Sequence, residues 1–210
     1  MFSFIIQGLL SRRNGGKQDW RSVPWFAIDC ETNGLNANQD ALLSLAWVPI
    51  APPFVRIGAA QYAVIHHDQP LSQSAVVHQL TSAELQQGEV LKNVLERFAE
   101  ATAGAYLVAH YAAFDRTVLH EHMRREGISW QPQGWYDTLA VEKKHAAGEG
   151  KLQQSSLTLA ESRNRYGLPS FIGHHARNDA VACAELFLAQ NYSVKTTVPL
   201  SLSQVLKRGR

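Results

Sequence analysis

The chain has 210 residues, 45% hydrophobic and 18% charged, with a formal net charge of +2. That balance excludes a disordered polyelectrolyte, and it leaves nucleic-acid binding to be argued from where basic residues fall, not from bulk charge. Two cysteines, Cys30 and Cys183, form no CxxC pair and are too few for a disulfide scaffold, which fits buried free thiols in a reducing cytoplasm.

The apolar run from Phe2 to Leu10 is too short to cross a bilayer, and Arg12 and Arg13 follow it, the reverse of a secretory signal. Asn14 to Asp19 reads as a break. The expected organisation is a lead-in over 1–20, one domain over 21–192 and a C-terminal tail over 193–210, with no membrane segment and a cytoplasmic location. The tail folds back or meets a polymerase subunit; it carries no docking motif.

From Trp25 to Ile28 an uninterrupted apolar run predicts a buried strand, and Asn33-Gly34 ends it. Alternation along a strand puts Asp29 and Glu31 on one face and Cys30 on the other. Two acids on one face repel each other unless a cation lies between them, so a hard-metal site of oxygen ligands is one reading. On its own the stretch reads first as a polar strand-to-turn junction. Residues 41–50 predict a second strand ended by Pro49, Pro52 and Pro53, and 54–67 a long third strand, giving an antiparallel meander.

Leu91, Val94, Leu95 and Phe98 share one face of a helix that Gly104 ends. Tyr106 to Ala109 is a short buried strand, 113–126 a helix, and Trp135 to Ala140 a strand end passing into a helix capped by Asp137 or Thr138. Residues 148–156 read as a polar, Gly-containing loop. A helix over 157–166 ends at Gly167 and Pro169, and a last helix over 176–190 carries the stripe Ala180, Cys183, Ala184, Phe187 and Leu188. A meander followed by β/α alternation predicts an α/β fold with a mixed sheet flanked by helices.

Asp115 and Asp179 each fall in the first turn of a predicted helix, where acids also serve as ordinary caps. Order is more telling than any single acid. Phe26-Ala27-Ile28-Asp29-Cys30-Glu31-Thr32-Asn33-Gly34-Leu35, then Leu107-Val108-Ala109-His110-Tyr111-Ala112-Ala113-Phe114-Asp115, then Gly173-His174-His175-Ala176-Arg177-Asn178-Asp179-Ala180 follow one another, with Tyr136-Asp137-Thr138-Leu139 between the last two. This set resembles the DEDDh, or DnaQ-like, exonucleases, a family that includes the proofreading epsilon subunit of bacterial DNA polymerase III, RNase T and oligoribonuclease. The resemblance spans roughly 25–190. Asn33 and Tyr111 depart from the usual family residues, which touches substrate contacts more than the acids.

The resemblance implies a ribonuclease H-like fold and removal of nucleotides from a 3′ end by water. It implies two Mg²⁺ (Mn²⁺ may substitute): Asp29 shared by both, Glu31 and Asp179 on the nucleophile side, Asp115 on the leaving-group side. His174, five residues before Asp179, takes the general-base role, and His175 is then a loop residue near the substrate. Implied substrate contacts are Thr32, Asn33, Gly34, Leu35, His110, Phe114 and Arg177. Arg116, Arg124, Arg125, Lys143, Lys144, Lys151, Arg163 and Arg165 join Arg177 as candidates for a basic rim. The implied partner is a single-stranded nucleic-acid 3′ end, DNA favoured, together with a DNA polymerase subunit. An RNA-trimming exoribonuclease, a non-catalytic nucleic-acid- or polymerase-binding subunit and a metal-dependent nucleotide phosphatase are the rival readings.

Overall fold

The structure, a computed structural model, describes residues 18–68 and 80–210. The apolar N-terminal run, and with it most of the expected lead-in, lies outside the described residues. Among them no helix is long and apolar enough to cross a membrane.

Strand β1 (Trp25–Thr32) is central. β2 (Leu42–Ala51) runs antiparallel to it, and β5 (Tyr106–Ala109) and β6 (Gly134–Asp137) extend the sheet in parallel on the other side. The outer edge of β2 is occupied by two short pieces, β3 (Phe54–Val55) opposite Ile50 and Ala51, and β4 (Gln61–Val64) opposite Ser44 to Trp47. The mixed sheet with an antiparallel meander is therefore as expected, but its third strand is not continuous. A 3₁₀ turn at Ile57–Ala59 interrupts it, where Gly58 and two alanines carry weak strand propensity and Ile57 is half exposed.

The helices are α1 (Ser82–Gln86), α2 (Leu91–Ala101), α3 (Ala112–Arg125), α4 (Thr138–Gly148), α5 (Leu159–Asn164), α6 (Ala176–Tyr192) and α7 (Leu202–Arg208). α1 has no apolar periodicity to announce it; a capping box between Thr81 and Glu84 holds it. α5 is shorter than expected because Thr158, not the preceding residues, caps it.

Alternation along β1 divides the core. Trp25 and Ala27 face α6 and pack with Cys183, Ala184, Phe187 and Tyr136. Ile28 and Cys30 face α2 and α3 and pack with Val94, Leu95, Phe98, Val118 and Leu119. Both cysteines are buried free thiols, one on each face.

The segment after 193 is part of this core. Leu202 and Val205 pack on the α6 side beside Trp20 and Trp25. Asp19 bridges Ser201, and the Leu202 N–H donates to the Gln18 carbonyl at 2.6 Å. Two sheet rims are covered. The Asp137 N–H, at the end of β6, donates to the Gly209 carbonyl at 2.9 Å; beyond β4, the Glu89 N–H donates to Val64 O at 2.8 Å and the His66 N–H to Glu89 O at 2.9 Å.

If α7 belongs to the cooperative unit, Val205→Ala lowers the unfolding free energy by about 2 kcal/mol through lost burial plus a residual cavity. Urea denaturation with an unchanged slope and a lower midpoint is the expected result; an unchanged midpoint would separate α7 from the core.

Candidate active site

Asp29 and Glu31 continue the α6-facing row of β1, two and four residues beyond Ala27, at the point where the apolar row ends. Asp179 stands in the first turn of α6, above that row. The three carboxylates bring oxygen atoms within 4.8 Å of one another. Asp115 approaches from the opposite side of the sheet. It lies buried in the first turn of α3, and its Oδ1 accepts the Cys30 N–H at 3.1 Å, so the backbone of β1 itself holds it beside Asp29.

Gathering buried like charges shifts their titration upward. Burial first, then Asp115, Glu31 and Asp179, push the Asp29 carboxyl well above the ordinary carboxylate range. Burial raises Asp115 to about 7 against the opposing hydrogen bonds from Cys30. Burial and Glu31 raise Asp179 to about 6, opposed by the His175 and His174 amides and the His174 ring. None of Asp29, Asp115 and Asp179 pairs with a lysine or arginine among the described residues. A buried acid cluster held by amide N–H groups and short of cationic side chains suits a hard divalent cation, and these oxygen donors are the set that Mg²⁺ or Mn²⁺ takes.

His174 and His175 are divided by the backbone. His174 has φ +61°, outside the range most residues adopt, and its side chain is exposed near Asp179. His175 is the residue before α6 and turns the other way, its ring 4.6 Å from that of Tyr62. Its N–H donates to Asp179 Oδ2 at 3.2 Å. Among the described residues His174 is the exposed histidine beside Asp179.

The residues after β1 form a closed turn. The Thr32 hydroxyl donates to Gly34 O at 2.6 Å, the Asn33 N–H to Ala41 O at 2.9 Å, and the Asn36 N–H to Asp40 Oδ2 at 2.6 Å. A Cβ at Gly34 would overlap the Asp40 carboxylate, so the glycine lets that side chain close over the turn. α3 holds the turn through His122 and Arg125, which bond the Asp40 and Asn38 carbonyls. Leu35 is left 91% exposed at its tip. Phe114 packs partly buried against the α2–α3 core.

His110 is placed differently from the substrate contact that its position in the motif suggests. Its Nδ1 lies 2.8 Å from the Thr138 hydroxyl and its Nε2 2.9 Å from the Leu157 carbonyl. Burial also lowers its pKa, so the neutral ring is a pin between β5, α4 and the loop before α5. Both ring nitrogens are engaged, and neither is offered to a ligand. Asp137 does comparable work: its Oδ1 accepts the N–H of Tyr111, which has φ +81°, and that of Leu139 at the start of α4.

Most of the basic-rim candidates are already paired or buried. Arg124 and Arg125 pair with Glu121, Lys151 with Glu149 and Arg165 with buried Glu142, while Lys144 bonds the Lys207 and Arg208 carbonyls. Arg163 is 3% exposed and belongs to the interior. Its guanidinium donates to Ala182 O at 2.7 Å and Pro169 O at 3.0 Å, pairs with Glu185 at 2.7 Å, and lies 5.0 Å from the Phe171 ring centroid. It therefore ties the loop that ends at His174 to the side of α6. No sequence signal marks this role, since Arg163 sits in a short polar helix without apolar periodicity. Arg177 is exposed, with no hydrogen bond or ion pair among the described residues; Lys143 lies 5.7 Å over the Tyr111 ring, and Arg116 is exposed on α3.

A mixed sheet flanked by helices, with carboxylates converging where its central strand and two helices meet, is the ribonuclease H-like nuclease arrangement. The exonuclease family model of the RNase T type matches residues 26–187, and the chain belongs to this DnaQ-like exonuclease family. It is 29% identical over 194 residues to a DNA polymerase III subunit epsilon-like protein of Rhodobacter capsulatus, covering 90% of this chain and 27% of that protein. Exonuclease I shares the fold at a TM-score of 0.71 and 18% identity over 81% of this chain and 41% of that one. Exonuclease X, solved with 5′-overhanging duplex DNA, shares it at 0.64 and 20% over 89% and 99%. The chain spans between 12% and 27% of the length of the curated relatives it matches.

Asp115 and Asp179 titrate higher in the folded chain than at the ordinary value of 3.8. Their protonated forms therefore favour the fold below about pH 4, and that contribution is lost as pH rises through about 6–7. The expected outcome is a metal-free protein that melts lower at about pH 8 than at about pH 5, with Mg²⁺ raising the melting temperature more at the higher pH. Asp29→Asn should raise the metal-free melting temperature and remove most of the Mg²⁺ response; scanning calorimetry with and without a chelator checks both. Arg163→Lys keeps charge but not the fork, and should cut nuclease turnover by about ten- to a hundredfold through misplacement of His174. The Mg²⁺-induced melting shift should survive that substitution; wild-type turnover would remove Arg163's positioning role.

Proposed function

We propose that this chain removes nucleotides one at a time from the 3′ end of DNA, in proofreading or repair, using two divalent cations and His174 as general base. The convergence of Asp29, Glu31 and Asp179 with Asp115 beside them carries the proposal. The four carboxylates would hold Mg²⁺ or Mn²⁺: Asp29 shared, Glu31 and Asp179 toward the attacking water, Asp115 toward the leaving oxygen. When bound, such ions polarise the phosphodiester and stabilise the charge that develops on its oxygens.

The chain's own residues supply the rest. His174 accepts a proton from water as the new P–O bond forms; the bond to the 3′ oxygen of the preceding nucleotide breaks, and a 5′-mononucleotide leaves. The left-handed backbone at His174, held through Phe171 and Pro169 by Arg163, keeps the imidazole at the acids while its ring stays exposed. Leu35 at the turn tip meets the terminal base, Thr32, Asn33 and Gly34 shape that turn, and Arg177 meets a phosphate. Phe114 backs the apolar side of this pocket, and His110 braces it from within. DNA is favoured because the relatives are DNA polymerase III proteins and exonuclease X was solved on DNA; a polymerase subunit as partner rests on the same relatives.

A 5′-labelled DNA oligomer should give a descending ladder that needs Mg²⁺, and Asp29→Ala should abolish it. His174→Ala should lower the single-turnover rate by about 10²–10⁴-fold with binding of the oligomer unchanged. A single internal cut, phosphate release without shortening, or faster loss of a matched RNA would each redirect the assignment.

A further inference from the structure

The row of β2 that faces α6 runs Ser44, Ala46, Val48 and Ile50, and its apolar members lie in the core with Trp25 and Ala27. Ser44 stands at the end of that row. It is 1% exposed, and its hydroxyl oxygen makes no hydrogen bond among the described residues. A buried hydroxyl left unpaired is destabilising, so a serine kept here serves something other than packing.

Its neighbours belong to the acid cluster. β1 and β2 pair Glu31 directly with Ser44, and residues opposite each other in an antiparallel pair share a face with their Cβ atoms about 4.5–5.5 Å apart. On the next strand out, Tyr62 pairs with Ala46 and packs partly buried against the same core. Burial raises the pKa of its hydroxyl, the Ser44 hydroxyl opposes that rise, and Glu84 and Glu31 add to it. The Tyr62 ring lies 4.6 Å from that of His175, whose N–H donates to Asp179 Oδ2 at 3.2 Å. Tyr62 therefore bears on both acids of the water-activating side, on Glu31 past Ser44 and on Asp179 through His175.

We infer that Ser44 and Tyr62 are positioning residues for the cation between Glu31 and Asp179. Once an ion is held, the Tyr62 O–H donates to Ser44 Oγ, and the Ser44 O–H donates to the Glu31 oxygen turned away from the ion. A carboxylate held at one oxygen presents the other in a fixed direction, and outer partners of this kind typically change metal affinity or activity by about 10–100-fold. Neither side chain touches the ion or the substrate. The inference rests on the metal-dependent reading of the acids and adds to it two residues, on β2 and β4, that lie outside the motifs carrying them.

The experiment measures Mn²⁺ binding by titration calorimetry, without nucleic acid, for wild type, Ser44→Ala, Tyr62→Phe and the double variant. Each single substitution should raise Kd for Mn²⁺ about tenfold. The double variant should lose no more than Ser44→Ala alone, because Tyr62 acts through Ser44. Melting in a chelator separates this role from a structural one: Ser44→Ala should melt at or above wild type, since it no longer buries an unpaired hydroxyl. Tyr62→Phe keeps the ring against His175, so its loss reads the hydroxyl. In oligomer cleavage the half-saturating Mg²⁺ concentration should rise about tenfold, with kcat at saturating Mg²⁺ within about threefold of wild type. Wild-type Mn²⁺ affinity in either single variant, or additive losses in the double one, would overturn the positioning role and leave the exonuclease reading standing. A wild type that neither binds Mn²⁺ nor shortens the oligomer would overturn both.

Discussion

Repulsion among carboxylates is the constraint around which this chain is arranged. Asp29, Glu31, Asp115 and Asp179 would each be better solvated apart, yet a strand and two helices drive them together. The apolar rows on both faces of β1 supply the force. Trp25 and Ala27 fix the strand against α6, and Ile28 and Cys30 fix it against α2 and α3, so the two acids at its end have no freedom to turn away. Amides soften the conflict without removing it: the Cys30 N–H faces Asp115 and the His175 N–H faces Asp179. The molecule is thus built with a local electrostatic deficit that a divalent cation resolves.

Around the acids lies a tier of buried polar groups whose purpose is placement. Glu142 is 1% exposed and accepts from Gln190 at 2.7 Å, Arg165 at 2.9 Å and the Tyr166 hydroxyl at 3.1 Å, locking α4, α5 and α6 together. Arg163 carries that lock to the loop before α6, and His110 carries it to the loop before α5. Networks of this kind are costly when half made, so each member depends on the others. Removing one would disturb the acids from a distance through the helices that hold them.

The fold and the site were legible in the sequence to different depths. Periodicity alone puts Asp29 and Glu31 on one face at the end of a strand and Asp115 and Asp179 in the first turns of two helices. Family order then joins the four acids into one set and adds His174. The 54–67 run is apolar enough to look like one strand, whereas the 3₁₀ turn at Ile57–Ala59 breaks it. His110 and Arg163 point inward for a reason the sequence does not carry. Sequence gives the chemistry of a side chain but not the direction in which it points, and a histidine or arginine aimed inward looks the same as one aimed at a substrate. Helix α7 is short, and its two core contacts, Leu202 and Val205, are too few to form a stripe.

The covering of the sheet rims bears on how this protein behaves in company. Exposed strand edges invite extended chains to add on, and unprotected ones promote aggregation. Here the Gly209 carbonyl takes the amide at the end of β6, and Glu89 occupies the rim beyond β4 with both its N–H and its C=O. Strand addition is blocked at those points, by residues far apart in the chain. Any protein that joins this one at those points meets side chains and surface shape instead of free backbone groups.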